Sequence, residues 1–248
     1  MTLEQDWDEL ARLDPLWSIL SFPDKRLGRW DEQEFLATGR AQVERHLAHG
    51  RALGHPQGHG AALDFGCGVG RLAPALSDAF GSYCGLDISE EMVAQARRLH
   101  ATRSNCTFVG GGGAVLDRLP ERSFDLVFTL YVLQHVPRRT TITSYVRSFV
   151  RLLRPEGLAV FQLPEHIPPA EKLLYDARRA AYLGLQRAGA PSAFLHRALR
   201  LSPMVMNFVP EAEVVAAVGD VGGVVLDVER VPGGMAIRDR TYYVTRGG

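Results

Sequence analysis

The sequence is poor in cysteine, in lysine and in net charge, and it has no long apolar run. Its three cysteines, Cys67, Cys84 and Cys106, are odd in number and include no C-x-x-C pair. They therefore build neither a disulfide framework nor a zinc knuckle. Their apolar and glycine-rich surroundings read as buried, reduced thiols, which is the expectation for a cytoplasmic protein. Lys25 and Lys172 are the only lysines, and with the arginines they make 28 cations against 28 acids. A chain without basic excess is poorly equipped to neutralise phosphates, so nucleic acid is not expected as its main partner. No apolar stretch is long enough to span a bilayer, and the acidic start MTLEQDWDELARLD lacks the apolar core of a signal peptide. No membrane partner is expected on that ground, and the oligomeric state is left open.

What is present is a chain of 248 residues, 46% hydrophobic, which suits one α/β domain with an added cap. Residues 1–60 read as a helical cap and linker: helices over 2–13 and 31–50, then the Gly/Pro-rich stretch GRALGHPQGHG. From residue 61 to 248 strands and helices alternate. Strands are expected at 61–65, 82–88, 106–109, 124–131 and 158–163, with helices at 72–80, about 90–100 and 141–153 between them. Such alternation implies a parallel sheet covered on both faces. The rhythm breaks at about 164–210, where a proline-rich start leads into an arginine-rich helical insertion at a strand's carboxyl end. That edge holds the ligand in open α/β sheets, so the insertion is a candidate lid over the acceptor pocket. A helix at 211–218 follows, then two antiparallel strands at 224–231 and 241–246, joined by a turn at Pro232-Gly233-Gly234.

The most informative segment is LDFGCGVGRL, 63–72, where a strand gives way to Gly66, Gly68 and Gly70 and then to a helix. Glycine permits a sharp turn and the close approach of a ligand, and the helix start offers free N–H donors. Asp87 ends the next strand, 21 positions after Gly66, where a carboxylate can accept from both hydroxyls of a ribose. Spacing separates this loop from the dinucleotide fingerprint. G-x-G-x-x-G needs a third glycine where this chain carries Arg71, whose bulk is wrong for a pyrophosphate turn.

The acid-preceded G-x-G-x-G loop resembles motif I of the class I S-adenosylmethionine-dependent methyltransferases. PERSFDLVFTLYVLQHV (120–136) looks like that family's fourth-strand segment, LLRPEGLAVFQL (152–163) like its fifth, and 224–246 like its closing strands. The resemblance implies a Rossmann-like, doubly wound seven-stranded sheet, mostly parallel with a C-terminal antiparallel pair. It also implies S-adenosyl-L-methionine as cofactor. Asp64, Gly66, Cys67 and Gly68 would line its methionine end, Arg40 would pair with its carboxylate, and Asp87 would hold the ribose. Ile88 and Met92 would flank the adenine, with Leu130 near the sulfonium. The family's usual acid after the third strand is missing from GGGGAVLD (110–117), so Gly113 and Ala114 would meet the ring edge through backbone amides.

A methyl acceptor must present a nucleophile behind the methyl carbon, and a hydroxyl usually needs a base. His135 is the candidate base, against a purely structural role, and Tyr131 and His166 are candidate walls of the acceptor pocket. The acceptor is expected to be a small molecule, methylated on O or N. Two alternatives stand beside this: a nicotinamide-dependent oxidoreductase and a non-catalytic cofactor-binding partner subunit. His46, His49, His55 and His59 cluster in sequence but lack interleaved ligands at metal-motif spacing, so no metal is expected. Arg178, Arg179, Arg187, Arg197 and Arg200 in the insertion read either as an anion-attracting set or as a solvated face.

Overall fold

A computed structural model describes residues 2–231 and 237–247. Its centre is a seven-stranded sheet of order β3-β2-β1-β4-β5-β7-β6. The strands are β1 (Ala61–Phe65), β2 (Ser82–Leu86), β3 (Cys106–Val109), β4 (Phe124–Thr129), β5 (Leu153–His166), β6 (Gly223–Val231) and β7 (Arg238–Arg246). The first five run parallel, and β7 closes antiparallel between β5 and β6. Between β1 and β4 the order of the strands reverses direction, and that switch point opens the crevice where such sheets take ligands.

Helices cover both faces: α3 (Glu32–Ala52), α4 (Ala73–Ala79) and α5 (Glu90–Leu99) on one side, α6 (Gly112–Leu116), α7 (Arg139–Leu152) and α10 (Glu211–Gly219) on the other. The period-two alternation of a strand sorts the side chains of β1. Leu63 and Phe65 join Phe149, Phe161 and Tyr242 in one core, while Ala62 joins Leu76, Phe128 and Tyr243 in the opposite one. In α7, Ile142, Val146, Phe149 and Val150 are all buried and follow helical spacing, which is why this amphipathic segment lies flat on the sheet.

The cap has two parts. The N-terminal part is α1 (Leu3–Leu13) and the short α2 (Pro15–Ile19); the insertion is α8 (Pro169–Arg187) and α9 (Ser192–Arg197). A capping box at Thr2 and Gln5 starts α1. Asp8 then ties it to α5, accepting from the Ser89 hydroxyl at 2.6 Å and from the Glu91 amide at 3.2 Å. On its other side, buried Asp6 pairs with Arg179 of α8 at 3.3 Å, and Glu9 accepts from Gln186 at 2.9 Å.

Most expected elements are present, with differences at β5 and in two short helices. β5 runs on to His166, because its antiparallel pairing with β7 continues past Pro164 across a register shift. The short helices α2 and α6 were not anticipated; each is five residues, too brief for a periodic pattern. The expected turn at Pro232-Gly233-Gly234 lies outside the described residues.

Candidate cofactor and acceptor site

At the carboxyl ends of β1, β2 and β4 lies a cleft. The glycine loop forms its floor. Gly66 and Gly68 hold φ of +76° and +54°, a region that side-chain-bearing residues avoid. A Cβ on Gly66 would stand 2.4 Å from a Val132 methyl, and one on Gly68 would stand 2.4 Å from Cδ1 of Ile19. The loop is pinned to β2, since the amides of Gly66 and Cys67 donate to the Leu86 carbonyl at 2.7 and 3.2 Å.

Asp87 joins the loop to the next helix. One carboxylate oxygen accepts from the Gly68 amide at 2.7 Å and the other from the Ser89 amide at 2.9 Å. Burial raises its pKa, while these backbone donors work to lower it. Each oxygen keeps a lone pair for a further donor.

Gly66, Gly68, Asp87, Ile88, Met92, Gly113, Leu130, Tyr131 and His135 all line the cleft. Five other expected residues do not. Arg40 lies half-exposed on α3 and donates to Asp78 of α4 at 2.8 Å. It faces α4, away from the cleft. Asp64 follows Ala62 to the far face of the sheet, where it is buried and accepts from the Tyr83 hydroxyl at 2.9 Å. Burial, ahead of every other influence, pushes its carboxyl up to about 7. Cys67 is buried beneath the loop with Sγ 3.5 Å from the Gly68 carbonyl. Ala114 is exposed on α6, and Gly112 lines the cleft beside Gly113 instead. His166 is exposed at the end of β5, edge-on to Phe208 at 5.9 Å, because the strand carries it past the cleft mouth.

The lining residues that sequence reasoning missed include a wall from the N-terminal cap, Leu3, Trp7, Ser18 and Ile19, and Tyr145 of α7. The spacing of Leu3, Trp7 and Leu10, an apolar stripe on α1, was the available signal. Among the described residues α8 and α9 contribute no lining side chain. They brace α1 from behind, and the strand of chain after them clamps the segment around His135. There Asn207 donates to three carbonyls, from its amide N–H to Gln134 and from Nδ2 to Val136 and Pro137, at 2.7–2.8 Å.

His135 ends a 3₁₀ turn, Leu133–His135. Its Nδ1 lies 2.7 Å from the Val205 carbonyl. A carbonyl only accepts, so Nδ1 carries the hydrogen and the neutral ring presents Nε2 as a lone-pair nitrogen. Burial holds the imidazole pKa below its usual 6.5. The Trp7 indole meets this ring edge-on, with centroids 5.4 Å apart. Tyr131 beside it adopts φ +63°, with its hydroxyl accepting from Gln42 Nε2 at 2.6 Å.

Arg71, which spoils the dinucleotide fingerprint, is only 3% exposed. Its one hydrogen bond is to Thr38 Oγ1 at 3.3 Å, its Nε has no partner, and no carboxylate pairs with it among the described residues. Its guanidinium lies 6.0 Å from the Tyr131 ring centre. The four clustered histidines are engaged elsewhere: His46 with Tyr243, His49 with Asp227, His55 with Glu156 and His59 against Phe80.

Residues 63–161 match a family model described as a methyltransferase domain. Among curated relatives, the ubiquinone biosynthesis O-methyltransferase of Bradyrhizobium diazoefficiens is 32% identical over 98 residues, 40% of this chain and 37% of that protein. Its counterpart in Xanthomonas oryzae pv. oryzae is 33% identical over 110 residues, 44% of each chain. The matched stretch thus spans less than half the length of these relatives. Magnesium protoporphyrin IX methyltransferase from Synechocystis PCC 6803, solved with bound SAH, shares the fold at TM-score 0.62 and 20% identity, over 99% of this chain and all of that one. The N-methyltransferase NodS from Bradyrhizobium japonicum WM9 superposes with TM-score 0.61 at 15% identity, over 100% of this chain and 99% of that one. Glycine loop, spaced acid and strand order agree with that match: residues 63–161 form a methyltransferase domain, on a sheet that shares the fold of these solved methyltransferases.

Proposed function

We propose that the chain transfers a methyl group from S-adenosylmethionine to a hydroxyl oxygen of an apolar small molecule. The observation that carries this reading is His135, a neutral imidazole with a lone pair on Nε2, which lines the cleft together with Leu130, Val132, Val136, Trp7 and Tyr145. An amine acceptor can react as the free base, whereas a hydroxyl needs its proton removed, and an unprotonated imidazole is suited to that task. The names of the curated relatives, O-methyltransferases, favour the same choice.

The cleft fits the cofactor on its own geometry. The positive-φ Gly66 and Gly68 keep the loop at the cleft floor free of side chains, and the buried Arg71 Nε has no hydrogen-bond partner among the described residues. In this reading Arg71, in place of Arg40, supplies the charge for the cofactor's carboxylate. Asp87 accepts from the ribose hydroxyls with its remaining lone pairs, Ile88 and Met92 sandwich the adenine, and Gly112 and Gly113 meet its edge. When bound, the cofactor supplies a methyl carbon made electrophilic by the sulfonium. The acceptor oxygen is held in line with that carbon by the walls of Trp7, Tyr131 and Leu130. His135 would take the hydroxyl proton at Nε2 as the acceptor oxygen is methylated, with the demethylated cofactor as leaving group. Alignment supplies about 7–11 kcal/mol in such reactions, and a positioned base about 10²–10⁴-fold.

The test is incubation with methyl-labelled cofactor and a panel of apolar phenols, alcohols and amines. Label on hydroxyl acceptors supports the reading. Label on amines alone refutes the oxygen assignment, and cofactor binding without transfer across the panel favours a non-catalytic role.

A further inference from the structure

Nine large apolar side chains stand prominently exposed among the described residues, and seven of them belong to the cap. Five sit in the insertion: Leu173 (70% exposed), Leu174, Leu185, Phe194 (52%) and Leu199. Phe22 and Leu27 lie in the adjoining N-terminal loop, which Arg26 fastens to α9 through the His196 carbonyl and by lying 4.7 Å over Trp17.

The orientation of α8 is the reverse of a solvated helix. Its inward residues are Arg179, Tyr182 and Gln186, and Arg179 and Gln186 hold α1. Its outward stripe, at four-residue steps, is Leu173, Ala177, Ala181 and Leu185, all exposed. A surface helix ordinarily turns its polar residues out. Here the apolar ones face out, and Arg178 and Arg187 flank them, with Arg197 and Arg200 on the segment that follows.

Charge identifies the occupant of this face. Four exposed arginines, Arg178, Arg187, Arg197 and Arg200, belong to it, in a chain that balances 28 cations against 28 acids overall. The single exposed acid of α8, Asp176, is already neutralised by Lys172 at 2.6 Å. A second copy of the chain packed face to face would set cations against cations. An anionic lipid surface accepts both features: apolar side chains enter the acyl boundary, and arginines pair with phosphates. No helix among the described residues is long and apolar enough to cross a membrane. Lying on one requires only a single amphipathic face.

We propose that the outer face of α8 and α9 docks on an anionic lipid surface. Leu173, Leu174 and Phe194 enter the interface, and Arg178, Arg187, Arg197 and Arg200 meet its headgroups. The proposal does not depend on the identity of the methyl acceptor. It is tested by sedimenting the full chain with vesicles of phosphatidylcholine and phosphatidylglycerol, against phosphatidylcholine alone. Binding is expected to the anionic vesicles only, to fall as salt rises, and to weaken at least about tenfold in L173Q/L174Q. Because both leucines are exposed, that variant is expected to keep the wild-type melting temperature and cofactor affinity. Absence of sedimentation with anionic vesicles, equal binding to neutral ones, or undiminished binding by folded L173Q/L174Q would each overturn it. So would light scattering that finds a dimer which the double variant splits, since the face would then belong to a second copy.

Discussion

The Trp7 indole rests edge-on against the His135 imidazole at 5.4 Å, although 128 residues separate them in sequence. One wall of the candidate base is therefore supplied by the N-terminal helix. Trp7→Ala removes that wall without touching the glycine loop or Asp87. It is expected to leave cofactor affinity near wild type by calorimetry and to lower kcat/KM for the acceptor by about tenfold or more. Weakened cofactor binding with unchanged acceptor kinetics would reverse the assignment.

His135 is held neutral by burial, so it works as a base above a pKa that lies below 6.5. The sign follows directly: activity stays level through neutral pH and declines only at acid pH, as Nε2 becomes protonated. His135→Asn is expected to keep cofactor binding and to lower kcat by about 10²–10⁴-fold for a hydroxyl acceptor. The small residual rate is expected to climb with pH as the acceptor ionises by itself. A flat residual profile, or wild-type kcat, assigns His135 to packing.

Two arginines compete for the role of carboxylate partner, and their surroundings differ. Arg40 is spent on Asp78 at the surface, whereas Arg71 is buried and forms no ion pair with a carboxylate among the described residues. Arg40→Ala is expected to leave cofactor affinity within about twofold, since exposed ion pairs contribute little. Arg71→Met keeps the side chain's length but not its charge, and is expected to weaken binding by at least about tenfold. Equal effects of the two changes in a titration would contradict this division.

Asp64 carries a pH signature of its own. Its carboxyl is raised to about 7 in the folded chain from an ordinary 3.8. Between those values the folded state keeps a proton that the unfolded state has released, so stability falls as pH rises through that window. Asp64→Asn still accepts from the Tyr83 hydroxyl and no longer titrates. Its melting temperature is expected to exceed that of the wild type by more at pH 8 than at pH 5. A constant difference across the two pH values would show that this carboxyl does not titrate in the window.

The readable parts of the site were local ones. Glycines at 66 and 68 and the acid at 87 lie at strand ends, where a turn and a ligand impose residue type directly. Arg40 misled because a helix advances about 100° per residue, and facing α4 or facing the cleft differs by a few positions that composition cannot reveal. His166 misled because β5 outlasts its apolar run, its extra pairs being supplied by β7, far along the chain. Arg71 was visible only as an argument against a dinucleotide. The contacts of Ile19 with Gly68 and of Trp7 with His135 join residues 49 and 128 positions apart, beyond the reach of any local pattern.

Asp8 anchors the N-terminal helix on Ser89, two residues beyond Asp87. The stretch assigned to the donor's sugar thus doubles as the mooring of the arm that walls the acceptor. On the proposed reading, donor binding and the wall of the acceptor pocket share one short segment where α5 begins.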